Sequence, residues 1–191
     1  MRRRNFIVGL GAAIAARQTV CAQAPTTKRV GVVIQGGPDQ PALSGLREGL
    51  KAAGLREGEH VEVATRQGSG DLTSVEAIAK SFEEDGFRVI VVFSTSVALA
   101  ARRGTERTPI IFTAGADPAA FGLVESLAKP GGRFTGVHSV VTDSTAKRFE
   151  FLHQLVPRLR RAVTFYNPTN PIPREALAAA EDTAGGSASK S

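Results

Sequence analysis

From residue 28 onward, short apolar runs alternate with stretches in which apolar residues recur every three or four positions. Unbroken runs stand at 30–34 (VGVVI), 89–93 (VIVVF), 110–112 (IIF) and 162–166 (AVTFY). They predict strands buried on both faces, because a continuous apolar run reserves neither face for water. Residues 60–65 (HVEVAT) alternate instead, as expected of an edge strand with one wetter face.

The intervening stretches carry helical stripes. Leu43, Leu46, Leu50 and Ala53 form one, stopped by Gly54 as a left-handed cap. Leu72, Val75, Ile78 and Phe82 form another, with Asp71 as N-cap and Gly86 at its end. Residues 97–103 predict a short helix closed by Gly104, and 117–127 a less regular one ahead of the turn Pro130-Gly131-Gly132. Phe149, Leu152 and Val156 line a further helix that begins near Asp143 or Ser144 and stops at Pro157. Strand and helix in strict alternation predict an α/β fold: a doubly wound parallel sheet with right-handed crossovers and the flavodoxin-like strand order 2-1-3-4-5.

The rhythm breaks at Asn167-Pro168-Thr169-Asn170-Pro171, where two prolines in five residues make a stiff turn and mark a domain boundary. Beyond it, Pro173 suits a first helical turn and an alanine-rich stretch follows. The chain then runs into Gly185-Gly186-Ser187, a tail too polar to bury itself. Three units result: residues 1–24, the α/β lobe 25–166, and a crossover segment with a helix start and tail at 167–191.

Composition changes the picture mainly at the N-terminus. The 191 residues carry 24 basic and 18 acidic side chains, a formal charge of +6. Arg2, Arg3, Arg4 and Arg17 fall in the first 24 residues, where no acidic residue stands; without that segment 20 basic face 18 acidic side chains. So even a balance offers no electrostatic pull on nucleic acid or an anionic membrane. The basic start, the apolar stretch from Phe6 to Ala16 and the small-x-small Ala22-Gln23-Ala24 read as an export signal. The apolar stretch falls short of the roughly 20 residues a bilayer requires. Arg3-Arg4-Asn5-Phe6-Ile7 also resembles a twin-arginine motif, so the general secretory and twin-arginine routes both stay open. Gly9 and Gly11 lack the third glycine of a dinucleotide fingerprint, its place being taken by Ile14. Cys21, the sole cysteine, follows bulky Val20 and matches a lipoprotein signal poorly. Its removal with the signal would leave no thiol for disulfides, nucleophilic chemistry or metal.

Ligands of open parallel sheets sit outside the carboxyl ends of the strands. Three small, polar loops are expected there: Gln35-Gly36-Gly37, Ser94-Thr95-Ser96, and Thr113 to Asp117. Ser94, Thr95 and Ser96 open a helix, whose unpaired N–H groups and dipole favour an anion such as a carboxylate; each hydroxyl also suits an ordinary cap. Catalysis finds little footing. His60, His138 and His153 share no metal-ligand spacing, Glu83-Glu84-Asp85 reads as a solvated helix end, and Ser94 lacks the Gly-x-Ser-x-Gly elbow. Arg158, Arg160 and Arg161 read as an exposed lead-in to a strand. No cofactor or metal is implied.

The leader Met1 to Ile7, Pro109-Ile110-Ile111-Phe112, Ala116-Asp117-Pro118, the stretch from Gly122 through Leu127-Ala128-Lys129-Pro130-Gly131-Gly132, and Thr135-Gly136-Val137 resemble the ABC-transporter substrate-binding proteins that include tryptophan/tyrosine-type members. Asn167 to Pro171 resembles that family's segment entering the crossover between lobes. The resemblance covers residues 1 to about 182. It implies a periplasmic-binding-protein fold and a small organic solute, such as an amino acid, held between two similar lobes. It also implies an ABC permease as membrane partner, a periplasmic location and no catalysis. Carried over by position, the cleft-facing residues are Gly36, Gly37, Ser94, Thr95, Ser96, Ala116 and Asp117. Members continue into a second lobe where this sequence turns to Gly and Ser, so the reading is of a truncated N-terminal lobe. The alternatives are a LacI-type effector domain, which would need a helix-turn-helix where the export signal stands, and a small flavodoxin-like enzyme or receiver domain, the receiver needing aspartates clustered after the first strand, where only Asp39 lies near.

Overall fold

The computed structural model describes residues 27–37, 40–139, 143–168, 170, 172–174, 177–178 and 180–181. The stretch 1–24, expected to be an export signal, and the tail beyond residue 181 lie outside the described residues.

Five strands form one parallel sheet: β1 (Lys28–Ile34), β2 (Val61–Gln67), β3 (Val89–Phe93), β4 (Ile110–Ala114) and β5 (Phe134–His138). Their spatial order is β2-β1-β3-β4-β5, the doubly wound order expected. Helices α1 (Gln40–Ala52), α2 (Leu72–Glu84) and α3 (Thr95–Gly104) form the crossovers of the first four strands, and α4 (Asp143–Leu155) follows β5.

The two sheet faces bury separate cores. Val30, Val32 and Ile34 of β1 meet Leu43 of α1 and Val91 of β3 on one face. On the other, Val33, Ile90, Val92, Ile110 and Phe112 pack under α2 and α3. Phe82 is fully buried there, a contribution of roughly 1.5–3 kcal/mol. Its ring lies on β1 only because residue 31 is glycine: a Cβ at Gly31 would stand 2.8 Å from Phe82 Cγ. α2 starts where the sequence placed it, with Asp71 accepting the Ser74 N–H at 2.7 Å. The hydroxyl of Ser69, first, and this N–H hold the Asp71 carboxyl below its ordinary range.

Three expectations need correction. The fifth strand is not 162–166 but Phe134–His138, whose register on β4 runs from Ile110↔Phe134 to Ala114↔His138. Residues 162–166 carry no strand pairing and are exposed. A β-prone composition makes a strand only where a neighbour supplies hydrogen bonds, and the place beside β4 is already taken. The stretch 117–127 is a series of turns rather than a helix. The Asp117 carboxylate accepts the Ala119 N–H at 2.9 Å and Gly122 takes a φ of +66°, so the Leu123 N–H closes back on the Pro118 carbonyl instead of extending a helix. α4 forms as expected, yet its stripe is not buried on the sheet, for Leu152 and Val156 are exposed.

Past the proline-rich turn, the Asn170 side chain accepts the Ile172 N–H at 3.1 Å, and the described residues between 172 and 181 are helical.

Candidate ligand-binding edge

Because all five strands are parallel, their carboxyl ends share one edge of the sheet. From β1 the chain leaves to one side to make β2, and from β3 to the other to make β4. The winding direction therefore reverses between β1 and β3, which opens a crevice between the loops that follow them.

The loop after β1 is tied to the loop after β2. Gln35 Nε2 donates to the Gly70 carbonyl at 2.8 Å, and the Gly70 N–H returns a bond to the Gln35 carbonyl at 2.9 Å. A Cβ on Gly36 would lie 3.1 Å from Gly70 Cα, so glycine lets the two backbones meet. Gly36 and Gly37 are exposed at this junction.

The loop after β3 is tied to the loop after β4. Thr95 is buried, and its Oγ1 accepts the N–H groups of Gly115 at 3.2 Å and Ala116 at 3.3 Å. The Ser94 N–H donates to the Thr113 carbonyl at 3.0 Å. Ser94 caps α3 through a long bond from the Val97 N–H to its Oγ, 3.4 Å, and its hydroxyl lies 3.3 Å from that of Ser96. Its φ of 96° and ψ of 153° fall in a region that almost only glycine occupies, at a cost on the order of 1–3 kcal/mol. Among the described residues Ser94 is the only non-glycine with positive φ.

Beside this loop lies an open concavity of about 470 Å³, lined by Phe93, Ser94, Thr113, Ala114, Gly115, Val137, His138 and Ser139. The Ser139 N–H donates to the Ala114 carbonyl at 2.8 Å and brings the end of β5 into its wall. Phe93 and Val137 bring apolar side chains to its lining, and Ser94, Thr113 and Ser139 hydroxyl-bearing ones. The seven residues expected at the site thus separate by role. Ser94 lines the concavity, Gly36 and Gly37 are exposed in the loop after β1 and do not line it, and Asp117 is exposed with its carboxylate on Ala119. Thr95, Ser96 and Ala116 are buried and form the frame. Val137, His138 and Ser139 escaped sequence reasoning because the fifth strand was sought at 162–166. The signal was the run 134–138 (FTGVH) directly after a turn.

At the opposite end of β4 from this loop, a carboxylate holds the chain that enters the strand. Glu83 of α2 accepts three backbone N–H groups of the α3–β4 connection: Glu106 at 3.0 Å, Arg107 at 2.9 Å and Thr108 at 2.6 Å. Burial pushes its pKa up, but the hydrogen bonds together outweigh burial and hold it at about 2. Arg133, just before β5, donates to the Thr108 carbonyl at 2.9 Å and to Thr105 Oγ1 at 2.8 Å. Its pKa is lowered by burial, against the pull of the Glu83 charge. Among the described residues no group of three or more His, Cys, Asp or Glu side chains could hold a metal ion, and no helix is long and apolar enough to cross a membrane.

The fold is an α/β lobe of the kind from which periplasmic binding proteins are built, with a winding reversal between β1 and β3. Comparison with known proteins gives the family. The family model described as ABC transporter substrate binding protein matches residues 24–184, and the chain belongs to that family. Its members work outside the cytoplasm, as solute-binding proteins rather than enzymes. A curated relative, a tyrosine-binding protein of Clostridioides difficile, is 32% identical over 126 residues, 66% of this chain and 36% of the relative. A conserved domain protein from Vibrio cholerae has a similar structure, with a TM-score of 0.73 and 28% identity, covering 84% of this chain and 54% of that one. A ligand-free, open substrate-binding protein with adhesive properties from Clostridium difficile gives a TM-score of 0.62 at 29% identity, covering 84% and 54%. An ABC domain from Streptococcus pneumoniae, solved in complex with L-Trp, shares the fold with a TM-score of 0.73 at 21% identity, covering 85% and 55%. The chain therefore spans about a third of the curated relative and about half of each solved chain.

Proposed function

We propose that this chain supplies one wall of the solute cleft of an ABC importer's extracytoplasmic binding protein, and that the solute is a small amino acid-like molecule. The observation that carries the reading is the Thr95 hydroxyl, which locks the β3 and β4 loops together at the carboxyl edge and leaves Ser94 and the α3 N-terminus facing an open concavity. A helix N-terminus suits a carboxylate, and the apolar side chains of Phe93 and Val137 suit the solute's hydrocarbon part. The tyrosine and tryptophan bound by relatives make aromatic amino acids the first solutes to test. On this reading residues 1–24 direct export, an ABC permease in the membrane receives the solute, and the second wall of the cleft lies outside the described residues.

Affinity follows from the share of the cleft present. A closed cleft buries about 70–90% of a small ligand. If two walls together bind at about 1 μM, near −8 kcal/mol, one wall with half the contacts binds at about millimolar. An NMR titration of the purified chain with tyrosine, tryptophan and glycine tests this. Weak saturable shifts are expected at Ser94, Thr95 and residues 113–116, larger for the aromatic solutes. Micromolar binding would refute the one-wall assignment, and saturable shifts confined to other regions would refute the site.

A further inference from the structure

Of the side chains that line the concavity among the described residues, only that of His138 can ionise. No carboxylate, lysine or arginine stands beside it in the lining. The charges carried by the neighbouring segments are engaged elsewhere. The Asp117 carboxylate, after β4, accepts the Ala119 N–H, and Arg133, ahead of β5, donates to the Thr108 carbonyl before the start of β4.

His138 owes its place to the strand ladder. It closes β5 opposite Ala114, and the next N–H, that of Ser139, donates to the Ala114 carbonyl at 2.8 Å. Alternation along β5 puts His138 on the face of Phe134, whose side chain is buried in the core under α2 and α3. α3 begins on that same face, with Ser94 as its cap. The strands that carry Ser94 and His138 flank β4, so they stand roughly 10 Å apart. A small solute lying over the end of β4 therefore meets the helix start on one side and the imidazole on the other.

This lining is one-sided in charge. The helix start favours a negative group, and a protonated imidazole adds a positive charge and donates from both ring nitrogens. An ammonium group brought here would leave water with no carboxylate in exchange, which costs affinity. A carboxylate gains instead, since a hydrogen bond from a charged donor is roughly twice as strong as one from a neutral donor.

We propose that His138 is the specificity-determining residue of this wall, selecting solutes that carry a carboxylate over solutes that carry only an ammonium, and holding the carboxylate more tightly once the imidazole is protonated. The inference rests on the solute-site reading above and adds to it a residue and a charge class. Histidine changes charge between about pH 5 and 8, so carboxylate binding strengthens as pH falls through that range. His60, whose Nδ1 accepts the Arg56 N–H at 3.2 Å, and His153 of α4 do not line the concavity.

Two fragments of tyrosine separate the charges. Hydroxyphenylpropionate keeps the ring and the carboxylate, and tyramine keeps the ring and the ammonium. NMR titrations of the purified chain with each, at about pH 6 and about pH 8, read affinity at Ser94, residues 113–116 and the His138 ring. The acid is expected to bind about three- to tenfold more tightly at the lower pH, as a neutral donor becomes a charged one. Tyramine should bind at least about tenfold more weakly than the acid at the lower pH. His138→Gln keeps a hydrogen-bonding side chain that does not titrate, so it should abolish the pH dependence and hold affinity near the unmodified chain's value at the higher pH. The profile of the unmodified chain serves as a test even if that variant misfolds. Equal binding of the two fragments, the same affinity for the acid at both pH values, or a pH dependence that survives in His138→Gln would overturn the inference and leave the solute site standing. Absence of saturable shifts at Ser94 and residues 113–116 with tyrosine and with both fragments would instead remove the site, and the inference with it.

Discussion

Glu83→Gln separates the electrostatic support of the α3–β4 connection from simple packing. The carboxylate receives three backbone N–H groups of residues 106–108, and its pKa stands at about 2 against an ordinary 4.5. Taken in full, that difference corresponds to ~3 kcal/mol of native-state preference for the charged form. Glu83 is only partly buried, and screening by water reduces the realised amount to ~1–2 kcal/mol. Glutamine keeps the shape, but its NH₂ must face an N–H that a carboxylate oxygen now accepts. The expected loss at pH 7 is therefore ~1–2 kcal/mol, or roughly 3–8 °C in Tm for a domain of this size. The sign of the pH dependence follows from the lowered pKa. The stabilisation is present above the unfolded value of 4.5 and is lost as pH falls through the folded value of about 2. Urea unfolding of both proteins at several pH values between about 7 and 3 measures it, and the gap between them should shrink by more than half by pH 3. An equal gap at both ends of that range, or none at pH 7, would show that the α3–β4 connection is held by packing alone.

Two further substitutions bear on the site. Thr95→Val keeps the buried shape but leaves the Gly115 and Ala116 N–H groups without their acceptor, so stability should fall by about 1–3 kcal/mol and those two amides should exchange faster; unchanged exchange would contradict the coupling of the β3 and β4 loops. Ser94→Gly relieves a backbone conformation that glycine adopts freely, so the melting temperature should rise by a few degrees, roughly 1 kcal/mol, while solute shifts in the NMR titration weaken. A variant that is both more stable and equally good at binding would remove Ser94 from the site.

The amino-acid pattern alone determined the fold class, the order of the sheet, four of its five strands and the start of α2 at Asp71. These rest on local physics: apolar periodicity, capping, and glycine where a chain turns. It also placed the three loops on one edge, since the carboxyl ends of parallel strands share an edge whatever the details of packing. What only the tertiary structure decided were matters of partnership between distant residues. FTGVH at 134–138 became a strand because β4 offered it a free edge, whereas the more strand-like AVTFY at 162–166 found no neighbour and lies exposed. Ser94, Thr95 and Ser96 are equivalent as small polar residues in a row, yet folding gave them different tasks. Thr95 turned inward to bond the β4 loop, and Ser94 was left strained at the surface of the concavity. Glu83 read as part of a solvated acidic run, and only the approach of residues 106–108 made it an anchor. In each case composition sets what a residue is able to do, and its partner in space sets which of those things it does.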